Sequence, residues 1–127
     1  MDTGAKIYVA GHNGLVGSAL CRKLESSGYR NLICLSRSEL DLCDQRATRE
    51  FFENQKPDYV FLAAAKVGGI HANASQPAQF IHDNLSISVN ILEAARQSGV
   101  TKLLYLGSSC IYPKMSPQPI AEEALLT

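Results

Sequence analysis

Short apolar runs alternate along this chain with longer stretches of helical periodicity. Ile7-Tyr8-Val9-Ala10 is the first run and predicts a strand. Gly11-His12-Asn13-Gly14-Leu15-Val16-Gly17 follows directly, a loop with three glycines. Residues 14–27 then read as a helix: Val16, Leu20 and Leu24 recur every fourth residue with Ala19 beside them, while Arg22, Lys23 and Glu25 fall on other faces. Gly28 is placed to stop it. Leu32-Ile33-Cys34-Leu35 predicts a second strand, closing a strand–helix–strand unit of ~30 residues.

The rhythm continues downstream. Asp44 is placed to cap a helix over 45–55, whose apolar side is Ala47, Phe51 and Phe52, and Lys56-Pro57-Asp58 breaks it. Tyr59-Val60-Phe61-Leu62-Ala63-Ala64-Ala65 is continuously apolar, which predicts a strand buried on both faces of a parallel sheet, with Lys66-Val67-Gly68-Gly69 as the loop beyond. Its small final residues leave room for a ligand to cross the strand end. Residues 85–91 alternate like a strand, yet no break interrupts 77–98. Length decides for helix, with Pro77 in the first turn and Gly99 at the end. Apolar residues fall on two sides of it, Ile81, Leu85 and Leu92 on one, Ile87 and Ile91 on the other. One side is predicted to pack on the sheet and the other to meet a second partner, such as another subunit's helix. Asn84 and Asn90 read as structural hydrogen-bonders. Lys102-Leu103-Leu104-Tyr105-Leu106 is the fourth strand, and residues 114–127 show no obvious final element.

Two stretches carry candidate chemistry. A glycine loop between a strand and a helix suits a phosphate, because bare backbone lets an anion reach the orphan N–H groups and the positive end of the helix. The spacing G-x-x-G-x-x-G is a weak signal alone. At the end of the second strand an acidic residue would bind a ribose 2′-hydroxyl, and an arginine a 2′-phosphate. Ser36 and Arg37 stand there, with Glu39 and Asp41 too late for the acidic role, so Arg37 favours NADP. A solvated surface arginine is the plain alternative. The fourth strand ends in Gly107-Ser108-Ser109-Cys110-Ile111-Tyr112-Pro113, small nucleophile-type side chains at the edge where open α/β sheets bind ligands.

Composition narrows the classes. A chain of 127 residues, 46% apolar, allows one domain with a core. Twelve basic residues balance twelve acidic ones, so charge points neither to nucleic acid nor to an anionic membrane. The longest apolar run is far below the roughly 20 residues that span a bilayer. No long apolar segment opens the chain, so no secretion signal is expected and a cytoplasmic location is. Cys21, Cys34, Cys43 and Cys110 form no C-x-x-C, and His12, His71 and His82 share no helical spacing. Free thiols and no metal site are the expectation.

Three stretches together, Gly11-His12-x-Gly14-x-Val16-Gly17, Ala63-Ala64-Ala65-Lys66-Val67-Gly68-Gly69-Ile70 and Leu106-Gly107-Ser108-Ser109-Cys110-Ile111-Tyr112-Pro113-Lys114, resemble the GDP-L-fucose synthases. These are extended short-chain dehydrogenases/reductases, and the likeness runs over the whole chain. The second and third motifs are much more specific than the first. The resemblance implies an α/β fold with a Rossmann-type parallel sheet and helices on both faces. Residues 1–127 would be the N-terminal part of the nucleotide-binding domain, with later strands and the C-terminal substrate domain absent. It further implies NADPH-dependent 3,5-epimerisation and 4-reduction of GDP-4-keto-6-deoxy-D-mannose. Cys110 matches the family's acid/base cysteine, whose partner is a histidine far downstream, and Ser108 the serine that hydrogen-bonds the C4 oxygen; Ser109 backs them. A thiol with an ordinary pKa of about 8.5 needs only modest tuning for proton transfer next to a carbonyl. Otherwise Cys110 would be an inert small hydrophobe. Carried over position by position, NADP(H) contacts are expected at Gly11, His12, Asn13, Gly14, Leu15, Val16, Gly17, Arg37, Asp41, Leu42, Ala64, Ala65, Leu106, Gly107, Ser108 and Ser109. A GDP-sugar is the expected substrate and a homodimer the expected full-length assembly.

Two departures bear on this. The family often has a basic residue where this chain has Asn13, which leaves Arg37 more of the 2′-phosphate. None of the five tyrosines is followed four residues later by lysine, as the Tyr-x-x-x-Lys pair of these reductases requires; Tyr112 is followed by Ser116. In the family that pair lies a little beyond position 127, so a truncated chain unable to reduce is expected. A non-catalytic NAD(P)-binding protein of this fold, and a related NAD-dependent sugar-nucleotide epimerase or dehydratase, are the alternatives.

Overall fold

The first apolar run becomes β1 (Ile7–Ala10), which pairs on one side with β2 (Leu32–Ile33) and on the other with β3 (Tyr59–Leu62). Strand β3 pairs in turn with β4 (Lys102–Tyr105), and all the pairings are parallel. These descriptions come from a computed structural model that describes residues 1–125; the side chain of Ser109 also lies outside what is described. The order β2-β1-β3-β4 means the chain steps one way to β2 and then back across β1. Right-handed crossovers therefore place α1 (Leu15–Ser26) on one face and α2 (Gln45–Gln55) and α4 (Pro77–Gln97) on the other. This is an α/β, Rossmann-type sheet with helices on both faces.

The pleat sorts the core into two clusters. Tyr8, Ala10, Val60 and Leu62 face α2 and α4, where they meet Phe52, Ile91, Ala94 and Ala95. Ile7 and Val9 face α1 and Leu24. The Tyr8 ring lies 4.7 Å from Phe51 and meets Phe52 edge-on at 5.9 Å. Asp44 caps α2 as its sequence position predicts, its Oδ1 accepting from Ala47 N at 3.0 Å, worth ~1 kcal/mol. Gly28 and Gly99 follow the ends of α1 and α4 with positive φ, as helix-stop glycines do.

Several boundaries differ from the sequence pattern. Strand β2 is two residues long, because Cys34 and Leu35 leave the ladder. The run 59–65 pairs only to Leu62, with Ala63 N still donating to Ala10 O at 2.9 Å. Its burial alternates: Val60 and Leu62 are buried between sheet and helices, but Tyr59 and Phe61 only half-buried under α1. Strand β4 stops at Tyr105, one residue early. In α1 the sheet-facing stripe is Gly17, Cys21 and Leu24, not Val16 and Ala19, which are exposed. Gly17 must face inward, since only a residue without Cβ lets this helix approach the loop.

Helix α3 (Ile70–Ser75) has no counterpart in the pattern. It buries no residue, so no apolar stripe marks it, and Asn73 Nδ2 holds its start by donating to Gly68 O at 2.8 Å. On α4 the two apolar sides separate as predicted. Ile91 is fully buried and Ile87 packs beside it, while Ile81, Leu85 and Leu92 are 61%, 58% and 44% exposed. No helix among the described residues is long and apolar enough to cross a membrane.

Candidate functional site

The direction of the chain reverses between β1 and β3, and open α/β sheets form a crevice beyond the strand ends at such a point. Here the crevice is a cavity of about 490 Å³. Three loops build it: residues 11–17 after β1, 35–43 after β2 and 63–67 after β3, with Asp83 and Ile87 of α4 as its wall.

Backbone geometry fixes the first loop. Gly11 has φ +85°, and a Cβ there would lie 2.7 Å from the backbone of Ala63 and Ala64. The loop thus touches the end of β3 without any side chain between. A Cβ on Gly17 would collide with Gly11 O and lie 2.9 Å from His12 Cα, and Gly14 N closes the turn by donating to Gly11 O at 2.9 Å. Gly14 is also the N-cap of α1 and offers no side-chain cap, so the first-turn N–H groups await an external acceptor. His12 Nδ1 is buried with no hydrogen-bond partner among the described residues. A cradle without side chains, free helix N–H groups and an orphaned buried nitrogen fit a dinucleotide diphosphate.

The second loop places Ser36, Arg37 and Asp41 on the lining. The Arg37 guanidinium lies 3.7 Å from the Asp41 carboxylate and is largely exposed. Glu39, too late in sequence for the end of β2, nevertheless reaches back there. Its Oε2 accepts from Ser36 N at 2.7 Å and from Ser36 Oγ at 2.6 Å. The Ser36 hydroxyl, then the Ser36 N–H, hold the Glu39 carboxyl below its usual range, and His12 adds a smaller pull. This is half of a capping box, the acidic residue three positions on binding the first backbone N–H.

The third loop is tied to α4. Asn84 grips the Lys66 backbone at two points, accepting from Lys66 N at 2.8 Å and donating to Lys66 O at 3.0 Å. Lys66 Nζ donates to Asp83 Oδ2 at 2.8 Å and sits 5.3 Å from the centre of the Phe80 ring. Asp83 is buried and also accepts from Gln79 at 2.6 Å. Its carboxyl is held down to about 2, chiefly by the Lys66 hydrogen bond and then by His82. Asn90 donates to Leu42 O and Cys43 O at 2.9 and 3.2 Å, tying the second loop to the same helix. Both asparagines are structural, as their positions suggest.

Of the residues expected to meet the cofactor, all of 11–17, together with Arg37, Asp41, Leu42, Ala64 and Ala65, line this cavity. Leu106, Gly107 and Ser108 do not; they follow β4, the next strand along the same sheet edge. The expectation for the Ser109 side chain lies outside the described residues. Ser108 and Cys110 sit together beyond β4, Cys110 N donating to Ser108 Oγ at 3.2 Å, and Cys110 is exposed. Lys66, Asp83, Ser36, Cys43 and Ile87 are lining residues that the sequence pattern did not single out as cofactor contacts. For Lys66 a signal existed, a lone lysine directly after an apolar strand. Among the described residues no group of three or more His, Cys, Asp or Glu gathers to hold a metal ion.

Comparison with known proteins places this geometry. Residues 7–127 match the NAD dependent epimerase/dehydratase family. GDP-L-fucose synthase 1 of Arabidopsis thaliana is 60% identical over 126 residues, covering 99% of this chain and 39% of that protein. GDP-L-fucose synthase of Escherichia coli (strain K12) is 54% identical, covering 95% and 38%. Among solved structures, MlghC, a GDP-mannoheptose C4 reductase from Campylobacter jejuni with NADP bound, superposes with a TM-score of 0.93 at 43% identity, covering 99% of this chain and 40% of that one. The chain spans about two-fifths of the length of the curated relatives it matches.

Proposed function

The chain belongs to the NAD dependent epimerase/dehydratase family, and from that premise we propose that it forms the N-terminal, cofactor-binding part of a GDP-L-fucose synthase. The reaction proposed is NADPH-dependent 3,5-epimerisation and 4-reduction of GDP-4-keto-6-deoxy-D-mannose. Residues 11–17 receive the cofactor's diphosphate at the start of α1, and Arg37 pairs with its 2′-phosphate. NADPH held there supplies the hydride for C4. Ser108 donates a hydrogen bond to the C4 oxygen, which acidifies the protons on C3 and C5. Cys110, as thiolate, takes those protons in turn, with a partner acid from outside these 127 residues. The face of α4 bearing Ile81, Leu85 and Leu92 fits a second subunit's helix, so a homodimer is part of the proposal.

The observation that carries this reading is a juxtaposition at one sheet edge. The glycine cradle follows β1, and Ser108 and Cys110 follow β4, one strand beyond the cavity wall. Cys110→Ser in a protein carrying this chain tests it. Incorporation of solvent deuterium at C3 and C5 should be lost while NADPH binding is kept; undiminished incorporation overturns the reading. A second reading, a GDP-sugar C4 reductase without epimerisation, is favoured by the likeness to the C. jejuni reductase. It predicts no deuterium incorporation even in the unaltered protein. The 127-residue chain alone, without Tyr-x-x-x-Lys, is predicted not to oxidise NADPH with the keto-sugar.

A further inference from the structure

Cys21 on α1 and Cys34 just after β2 bring their sulfur atoms to 3.6 Å. Both side chains are half-buried in the small cluster under α1, beside Tyr29 and Leu32, and neither lines the cofactor cavity. The pair joins two parts of the candidate site. Cys21 stands one helical turn after Gly17, and Cys34 stands two residues before Ser36. Bonded sulfurs lie about 2.05 Å apart, so thiols already in contact across two elements need side-chain movement more than chain movement to close that gap. The other two cysteines differ, since Cys43 lines the cavity and Cys110 is exposed beyond β4.

We propose that Cys21 and Cys34 are a redox-modifiable pair that closes to an intramolecular disulfide when an oxidant of the peroxide class reaches the protein. Burial, and then the Cys21 thiol itself, push the Cys34 thiol up to about 12, so Cys34 stays protonated at neutral pH. In the proposal Cys21 attacks first. Its sulfur bonds one peroxide oxygen as the O–O bond breaks, and the departing hydroxide takes the thiol's proton as water, leaving a sulfenic acid. The Cys34 sulfur then bonds the Cys21 sulfur, the S–O bond breaks, and hydroxide leaves with the Cys34 proton as a second water. Two thiols lose two electrons and two hydrogens, and one hydrogen peroxide becomes two waters. The product clasps the helix that follows the glycine cradle to the segment that leads from β2 to Ser36 and Arg37.

The test is hydrogen peroxide on the folded chain at neutral pH, alkylation of the remaining thiols in denaturant, and non-reducing peptide mapping. Expected is the loss of two alkylatable thiols and a cross-link between residues 7–22 and 31–37 in monomeric protein. That preference should vanish when oxidation is done in urea. Cys34→Ser should leave Cys21 as a sulfenic acid that dimedone traps. Intact Cys21 and Cys34 thiols after treatment that oxidises Cys110, or cross-links only between chains, overturn the proposal. The unaltered chain answers that question even if a variant fails to fold.

Discussion

The ends of β1 and β4 lie on the same sheet edge and are built in opposite ways. Beyond β1, two glycines are set by close approach, Gly11 against Ala63 and Gly17 against Gly11, and beside them, after β3, Lys66 is tied to α4. Beyond β4, the chemistry-bearing Ser108 stands just before a short helical turn and Cys110 within it, and the strand before them leaves Leu104 and Tyr105 45% and 50% exposed. The first region is therefore already shaped, and its donors would need no rearrangement to meet a ligand. The second has reactive groups without the enclosure that would set their reactivity. A thiol gains catalytic character from its surroundings, and those near Cys110 must come from whatever packs over the open side of β4.

The largest effect that would break this contrast is at Gly17. Gly17→Ala puts a methyl group where Gly11 O stands, and α1 must move off the loop to admit it. Such overpacking costs about 1–3 kcal/mol of stability. NADPH affinity should fall by at least about tenfold, the equivalent of ~1.4 kcal/mol. Fluorescence titration of the chain with NADPH reads this directly. Cys110→Ser should leave the same titration unchanged. If the two variants bound NADPH equally well, the cradle would not be the rigid half of the site.

The same contrast explains how much was legible beforehand. The cradle could be read because a glycine required by packing is visible as a glycine. Asp44 and Gly99 were legible for the same reason, since caps and stops have fixed chemistry at fixed positions. Strand ends were less so: Ala63, Ala64 and Ala65 are as apolar as a strand, and only the cavity beneath them shows that pairing stops at Leu62. Val16 carried helical periodicity but faces the ligand space, because periodicity records apolar contact without saying with what. The Glu39–Ser36 contact was not legible, since it takes a turn for that side chain to reach back three positions. The Cys21–Cys34 contact joins a helix to the segment after β2 and has no local signature at all.

The tie between Lys66 and α4 gives an intermediate effect, visible in acid. The folded Asp83 carboxyl titrates at about 2, below its ordinary value near 3.9. A depressed carboxylate stabilises the fold fully above the ordinary value and loses that contribution as pH falls from about 4 through 2. Asp83→Asn should therefore lower the melting temperature at neutral pH, and the difference from the unaltered chain should shrink across that window. Glu93, held to about 2 chiefly by Arg96, titrates in the same window but is common to both proteins and cancels in the difference. A gap that stayed constant down to pH 2 would mean that Asp83 acts as a neutral spacer, and that the third loop owes its shape to Asn84 alone.

The smallest effect concerns the choice between cofactors. Glu39 occupies the backbone N–H and hydroxyl of Ser36, which lines the cavity beside Arg37. Its charge opposes a 2′-phosphate there, while Asn13 adds no positive charge in compensation. Glu39→Gln keeps an oxygen to accept from Ser36 but removes the repulsion. Glu39 is exposed and solvent screens its charge, so NADPH should bind only about twofold tighter and NADH should be unaffected. The gain should fade in high salt, as an interaction across solvent does. Tighter binding of both cofactors would instead point to a general loosening of the second loop. Weaker NADPH binding would mean that the Glu39 carboxylate orients Ser36 for the phosphate and that its hydrogen bonds outweigh its charge.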